Sequence, residues 1–195
     1  MTSNRSYPIS FAADDGDIEL RRLRDTDAEA ILDFARRLPV HDLLFLRRNI
    51  TQPKVVAAWI EAEKLGRITT IVATRGGAVV GCGTIVRDEL SWAKHVGEMR
   101  VIADPAVRGK GLGHKLAQEC FAIALEMGLE KMTAQMTIDQ LGAIAVFEGM
   151  GFKAEALLRD QVQDAGGAKH DIVILSHDVA AFHAHMVAYG MTAEV

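Results

Sequence analysis

The sequence predicts a mixed α/β (α+β) domain: a mostly antiparallel central sheet of about six to seven strands, flanked by helices. Three observations carry this expectation. Short β-branched runs alternate with longer segments in which apolar residues recur at helical spacing. Gly76-Gly77 separates two β-rich runs, the mark of a hairpin. In the second half, strands are separated by helical segments, which implies crossovers, so hairpins and crossovers together give a mixed sheet covered by helices.

The elements follow in order. Residues 1–16 are polar and read as an N-terminal arm, ahead of a main domain over 17–177 and a C-terminal helix or tail over 178–195. Ile18 to Leu23 reads as a first strand. Thr26 and Glu29 have capping-box spacing, and Ile31, Phe34, Ala35 and Leu38 make one face of the helix that Pro39 breaks. Pro53 suits the first turn of a second helix, which buries Val55, Val56, Trp59 and Ile60 and stops at Gly66. Strands are expected over 68–74, 78–86 and 96–103. Leu112, Leu116, Cys120, Ile123, Ala124 and Met127 then line one side of a long helix closed by Gly128. A buried strand over 131–138, a short helix over 141–148 and two strands over 152–162 and 170–175 complete the domain. Val179, Phe182, Met186 and Val187 look like one face of a docking helix, and dimerisation through it or through the last strands stays open.

Bulk composition excludes several classes. A chain of 195 residues fits one domain, and its net charge of −4 provides no basic field for nucleic acid. The N-terminus lacks the apolar run of a signal peptide, and no stretch reaches membrane-spanning length, so the chain is expected to be soluble and cytoplasmic with no membrane partner. Cys82 and Cys120 sit in apolar contexts and read as core thiols. His170, His177, His183 and His185 match no metal-ligand spacing, so no metal is expected.

The chemistry concentrates in Arg108-Gly109-Lys110-Gly111-Leu112-Gly113, between a strand and the long helix. Such a turn leaves backbone N–H groups free at the helix N-terminus, where the dipole also favours an anion. Glycine lets a phosphate approach the backbone, and Arg108 and Lys110 add positive charge. The same residues also suit a tight surface turn that needs glycine only for positive φ. A Walker A loop fits poorly because Gly111 follows Lys110, and a dinucleotide fingerprint fits poorly because His114 stands where its third glycine belongs.

The run Val96 to Gly113 resembles the central motif of the GCN5-related N-acetyltransferase (GNAT) superfamily, Gln/Arg-x-x-Gly-x-Gly/Ala after a strand that ends in a proline-containing turn. Ala143 to Phe152 resembles the family's second signature, a helix followed by Gly-Phe. The resemblance covers residues 17 to 177 and implies acetyl-CoA (coenzyme A) as acyl donor and an amine as acceptor, small molecule or protein. It implies splayed central strands, with backbone groups of Val101 and Ala103 bonding the pantetheine arm and Val101 N–H facing the developing oxyanion. The pyrophosphate would lie on Arg108, Gly109, Lys110, Gly111, Leu112 and Gly113, with His114 next in line.

Acetyl transfer requires an ammonium to lose a proton, and Glu98, on the strand before the turn, is the expected acceptor, alone or through an ordered water. A salt bridge with Arg100, on the same strand face, is its structural alternative. Phe147 occupies the place where many members carry tyrosine, and Gln140 the place of a common asparagine, so tyrosine-assisted protonation of the leaving thiolate is not expected; Phe147 would pack on the pantetheine. The region His41 to Leu46 lies where the family shapes its acceptor pocket. A non-catalytic acyl-CoA-binding regulatory module is the alternative in a different class.

Overall fold

Why the central sheet takes its shape follows from where each segment finds an apolar partner. The computed structural model describes residues 5–13, 16–46 and 48–181. Among them are strands β1 (Ile9–Phe11), β2 (Ile18–Arg22), β3 (Ile68–Arg75), β4 (Ala78–Val86), β5 (Val96–Ala103), β6 (Lys131–Thr137), β7 (Lys153–Gln163) and β8 (Lys169–Asp178). The helices are α1 (Ala28–Arg37), α2 (Pro53–Lys64), α3 (Leu112–Glu126) and α4 (Leu141–Gly149). The strands form one sheet in the order β1-β2-β3-β4-β5-β6-β8-β7. Only β5 and β6 pair in parallel; every other pair is antiparallel.

Alternation along the strands divides the interior into two layers. Ile71, Ile85, Met99 and Met132 face α3, whose Leu116, Cys120 and Ile123 are buried against them. Val72, Cys82 and Ile102 point the other way, to Ile31, Phe34, Val56 and Ile60 of α1 and α2. Both cysteines are free and buried, as core thiols. Val55 and Trp59 are only half-buried. Trp59 Nε1–H donates to Thr70 Oγ1 at 3.0 Å, which satisfies the indole's polar end.

Three local readings change. Thr26 and Glu29 do not form the expected capping box. Asp27 dominates that corner: its carboxylate accepts from Arg24 N–H at 2.8 Å and from Nη1 and Nη2 of Arg21 at 2.7 and 2.8 Å. The arm supplies an eighth strand, β1, paired to β2 through Ser10↔Glu19. It is also pinned upstream, where Arg5 donates twice, at 3.0 Å, to Glu119 of α3, a carboxylate only 2% exposed. Burial, with Glu119 close by, pushes the Tyr7 phenol up to about 12. Finally, the last hairpin is longer than expected at its C-terminal strand, and β8 extends to Asp178. Val179 is buried; Phe182, His183, His185, Met186 and Val187, which the docking-helix and histidine readings use, lie outside the described residues.

Candidate functional site

The site begins where the parallel pair stops. β5 and β6 are in register from Val96↔Lys131 to Met99↔Ala134 and no further, although β5 runs to Ala103 and β6 to Thr137. Beyond that point β5 holds only β4, to Gly81↔Ala103, and β6 holds only β8, to Thr137↔Ile172. A wedge therefore opens between the two central strands. Asp104 N–H donates to Val80 C=O at 2.9 Å, so alternation turns the amides of Ile102 and Arg100 toward β4 and those of Val101 and Ala103 into the wedge.

The glycine turn lies at the end of the same strand. Asp104 caps a short 3-10 turn over Pro105–Val107 by accepting from Ala106 N–H at 3.0 Å, and it pairs with Arg37 at 3.1 Å. Burial raises the Asp104 carboxyl, but these hydrogen bonds outweigh it and hold it below the usual range. Gly111 then takes φ +81°, a left-handed conformation open to glycine, and α3 starts at Leu112. The first helical bond is Lys115 N–H to Gly111 C=O at 2.9 Å, so the N–H groups of Leu112, Gly113 and His114 precede it, and among the described residues no side chain caps them. Among the described residues, a Cβ added at Gly109, Gly111 or Gly113 would meet no atom within 4 Å beyond its own stretch of backbone. Leu112 contributes backbone alone, because its side chain is buried in the α3 core. His114 is exposed and lines a groove of about 460 Å³ between α3 and the end of α4, with Phe121, Leu125 and Met150. A polar depression of similar size near Asp17, Glu19 and Arg21 is lined by none of the residues expected to bind cofactor or catalyse.

Arg108 does not extend over the turn. Its Nε and Nη2 donate to Ala103 C=O at 3.2 and 3.0 Å, and Nη2 also pairs with Asp42. Glu98 lies in the last paired stretch, opposite Val86 and Thr133, on the α1/α2 face of the sheet. Arg100 Nε donates to its Oε1 at 2.8 Å, the expected structural alternative, with both side chains largely buried. Phe147 is 4% exposed and meets Phe152 edge-to-face at 5.1 Å, inside the α3 core. Gln140 sits at the start of α4, where its carbonyl accepts from Ala143 and Ile144 N–H. His177 explains Gly151: its Nε2 lies 3.1 Å from where a Cβ would stand.

One constellation was visible in the sequence only as separate residues. His41, in a 3-10 turn over Val40–Leu43, pairs through Nε2 with Asp139 Oδ2 at 2.9 Å and lies 3.4 Å from Thr137 Oγ1. Its ring meets His170 edge-on at 5.3 Å, and His170 Nε2 pairs with Asp164 at 2.9 Å. A hydrogen bond from Thr137, helped by His41, holds the Asp139 carboxyl below its usual range, and His170 does the same for Asp164. The signal was the pair His41-Asp42 just after a helix-breaking proline, but its partners are about 100 residues away in sequence, beyond the reach of any spacing rule. Among the described residues, no group of three or more His, Cys, Asp or Glu is arranged to hold a metal, and no helix is long and apolar enough to cross a membrane.

Comparison with known proteins adds the following. The family model described as "Acetyltransferase (GNAT) family" matches residues 30–152. A Bacillus subtilis (strain 168) protein named "Putative phosphinothricin acetyltransferase YwnH" is 31% identical over 83 residues, 43% of this chain; the match spans about half of that relative's length (50%). Among solved structures, a ribosomal-protein-alanine N-acetyltransferase from Brucella melitensis is similar with a TM-score of 0.71 at 22% identity, covering 82% of this chain and 98% of that one. A phosphinothricin acetyltransferase from Sinorhizobium meliloti, solved with AcCoA, has a TM-score of 0.72 at 20% identity, covering 83% and 88%. At these identities the structural likeness establishes the fold.

Proposed function

The chain belongs to the acetyltransferase (GNAT) family, and from that premise we propose that it is an acetyl-CoA-dependent N-acetyltransferase working by direct attack of an amine in a ternary complex. The observation that carries this reading is the continuity of the β5–β6 wedge with the uncapped start of α3. A strand edge with unpaired amides runs straight into a turn that offers N–H groups to an anion, which suits a molecule with an amide-bearing arm and a pyrophosphate.

The residues fit that molecule. Val101 and Ala103 face the wedge with their backbone groups, and the space a Cβ would take at Gly109, Gly111 and Gly113 is clear of protein. Bound there, acetyl-CoA would supply an activated thioester. Val101 N–H would stabilise negative charge developing on the acyl oxygen. Leu112, Gly113 and His114 N–H would hold phosphate, with the Lys110 side chain beside them. Displacing Arg108 from Ala103 C=O would release that carbonyl for the pantetheine and place a guanidinium by the phosphates. Glu98 would draw a proton from the amine nitrogen through an ordered water, with Arg100 fixing its orientation. A thiol of pKa about 8.5 leaves near neutral pH without an acid, so Phe147 in the tyrosine position is compatible with turnover.

The acceptor we propose is a small primary amine of the amino-acid type, supported by the phosphinothricin names among the relatives. A cytoplasmic setting suits both acetyl-CoA and two free thiols. Thiol release from acetyl-CoA, measured against phosphinothricin, spermidine and a peptide with an N-terminal alanine, tests the proposal. Acceptor-dependent release supports it. Tight CoA binding with no turnover on any amine would favour the regulatory module instead, and stronger thermal stabilisation by ATP or NAD(P) than by CoA would overturn the phosphate-site assignment.

A further inference from the structure

We propose that His41, oriented by Asp139, takes the first proton from the acceptor's ammonium at the mouth of the β5–β6 wedge. The inference rests on the acetyltransferase reading above. It starts from stoichiometry: an alkylammonium loses two protons in becoming an amide, and a free alkylamine of pKa about 10 arrives protonated near neutral pH. Glu98 is one proton acceptor, and Arg100 already occupies one of its oxygens.

Placement supplies the second. Asp42 reaches Arg108, which rests on the carbonyl of Ala103, the last residue of β5; its neighbour His41 reaches Thr137, the last residue of β6, and Asp139 just beyond. Two consecutive residues thus bridge the free ends of the two strands that splay apart. The His41 side chain is 36% exposed there, accessible to an incoming amine.

Chemistry fits the placement. Asp139 accepts from Nε2–H, which fixes the tautomer with the lone pair on Nδ1, the arrangement in which a carboxylate makes an imidazole a directed base. The groups facing His41 are Asp139 and Thr137 from the β6 end, His170 with its Asp164 from the β8 side, and the Asp42–Arg108 pair beside it.

The proton balance is complete. Nδ1 takes one proton from the ammonium and returns it to solvent from the exposed ring. The neutral nitrogen forms the C–N bond and passes its second proton toward Glu98. The C–S bond breaks with its electron pair on sulfur, and water protonates the thiolate.

The test uses the full chain, acetyl-CoA and the fastest amine of the panel. His41→Gln should lower kcat by about a hundredfold and remove the acidic limb of the kcat/KM profile, while leaving CoA affinity and melting temperature unchanged. Imidazole should partly restore His41→Ala. Asp139→Asn, which alters a positioning residue, should shift the acidic limb with a smaller loss of rate, about tenfold. A His41→Gln profile within twofold of wild type overturns the inference and leaves the acetyltransferase reading intact. Loss of CoA binding in parallel with rate also overturns it, by making His41 structural. Absence of turnover in the wild-type protein sinks both readings.

Discussion

Gly113 occupies the first turn of α3, where its conformation is ordinary and an added Cβ would touch nothing. Packing therefore gives no reason for glycine, and a helical glycine costs about 1 kcal/mol relative to alanine. A ligand lying against the N–H groups supplies the missing reason. Gly113→Asp separates the two effects. A carboxylate at a helix N-terminus favours the helix by about 0.3–1 kcal/mol, so the melting temperature should hold or rise. The same charge repels phosphate, so the CoA-induced thermal shift should vanish. An unchanged CoA shift would remove the phosphate from this turn. Arg108 shows what the residue scale hides from a sequence: its charge could be counted there, but not its engagement with Ala103 C=O and Asp42.

Elements were the most legible scale. Hairpins, helix stops and the glycine turn are local: Gly76-Gly77 joins β3 to β4, Pro53 opens α2, and α3 begins within the expected stretch. Failures came where a side chain or edge from another element decides. β1 is three residues long with no pattern of its own, and it forms because β2 offers an edge and Glu119 anchors Arg5. The Thr26–Glu29 box lost to Asp27 because a carboxylate held by Arg21 from β2 satisfies more groups than a hydroxyl. Breaking such a largely buried pair from one side typically costs about 3–5 kcal/mol, so Asp27→Ala should lower the unfolding free energy on that scale. The pH dependence has a definite sign. Burial raises the Asp27 carboxyl, but hydrogen bonds from Arg21 and Arg24 prevail and depress it. Its contribution is then complete above the unfolded value of about 3.9 and is lost as pH falls through the lower folded value. In acid titrations followed by circular dichroism, the stability difference between wild type and Asp27→Ala should be constant near neutrality and shrink below about pH 4. A difference that grows on acidification would contradict this assignment.

For the molecule as a whole, the question is what holds the phosphate turn at a fixed offset from the wedge. The answer lies in β4, in the middle of the sheet, on which α3 rests at close range. A Cβ on Gly83 would stand 2.7 Å from Cys120 Sγ and 3.3 Å from Leu116 C=O; one on Gly81 would stand 3.0 Å from Ile102 C=O and 3.2 Å from Leu112 Cδ2. These glycines seat α3 so that its first turn lies beside the end of β5. Adding one methyl group at Gly83 must then push the helix outward, at about 1–3 kcal/mol for overpacking, and displace the distant N–H groups with it. Gly83→Ala should therefore lower both melting temperature and CoA affinity, where Gly113→Asp lowers affinity alone. The clash is chiefly with one sulfur, so Cys120→Ala in the same chain should relieve it. Cys120→Ala by itself leaves a small cavity and destabilises. Combined, the two changes should be less harmful than their sum, and CoA affinity should recover alongside stability. Such a favourable coupling, measured by a double-mutant cycle of melting and CoA titration, is expected only for groups in contact. Strict additivity, or stability restored without CoA affinity, would mean that the seat of α3 on β4 does not set the position of the phosphate turn.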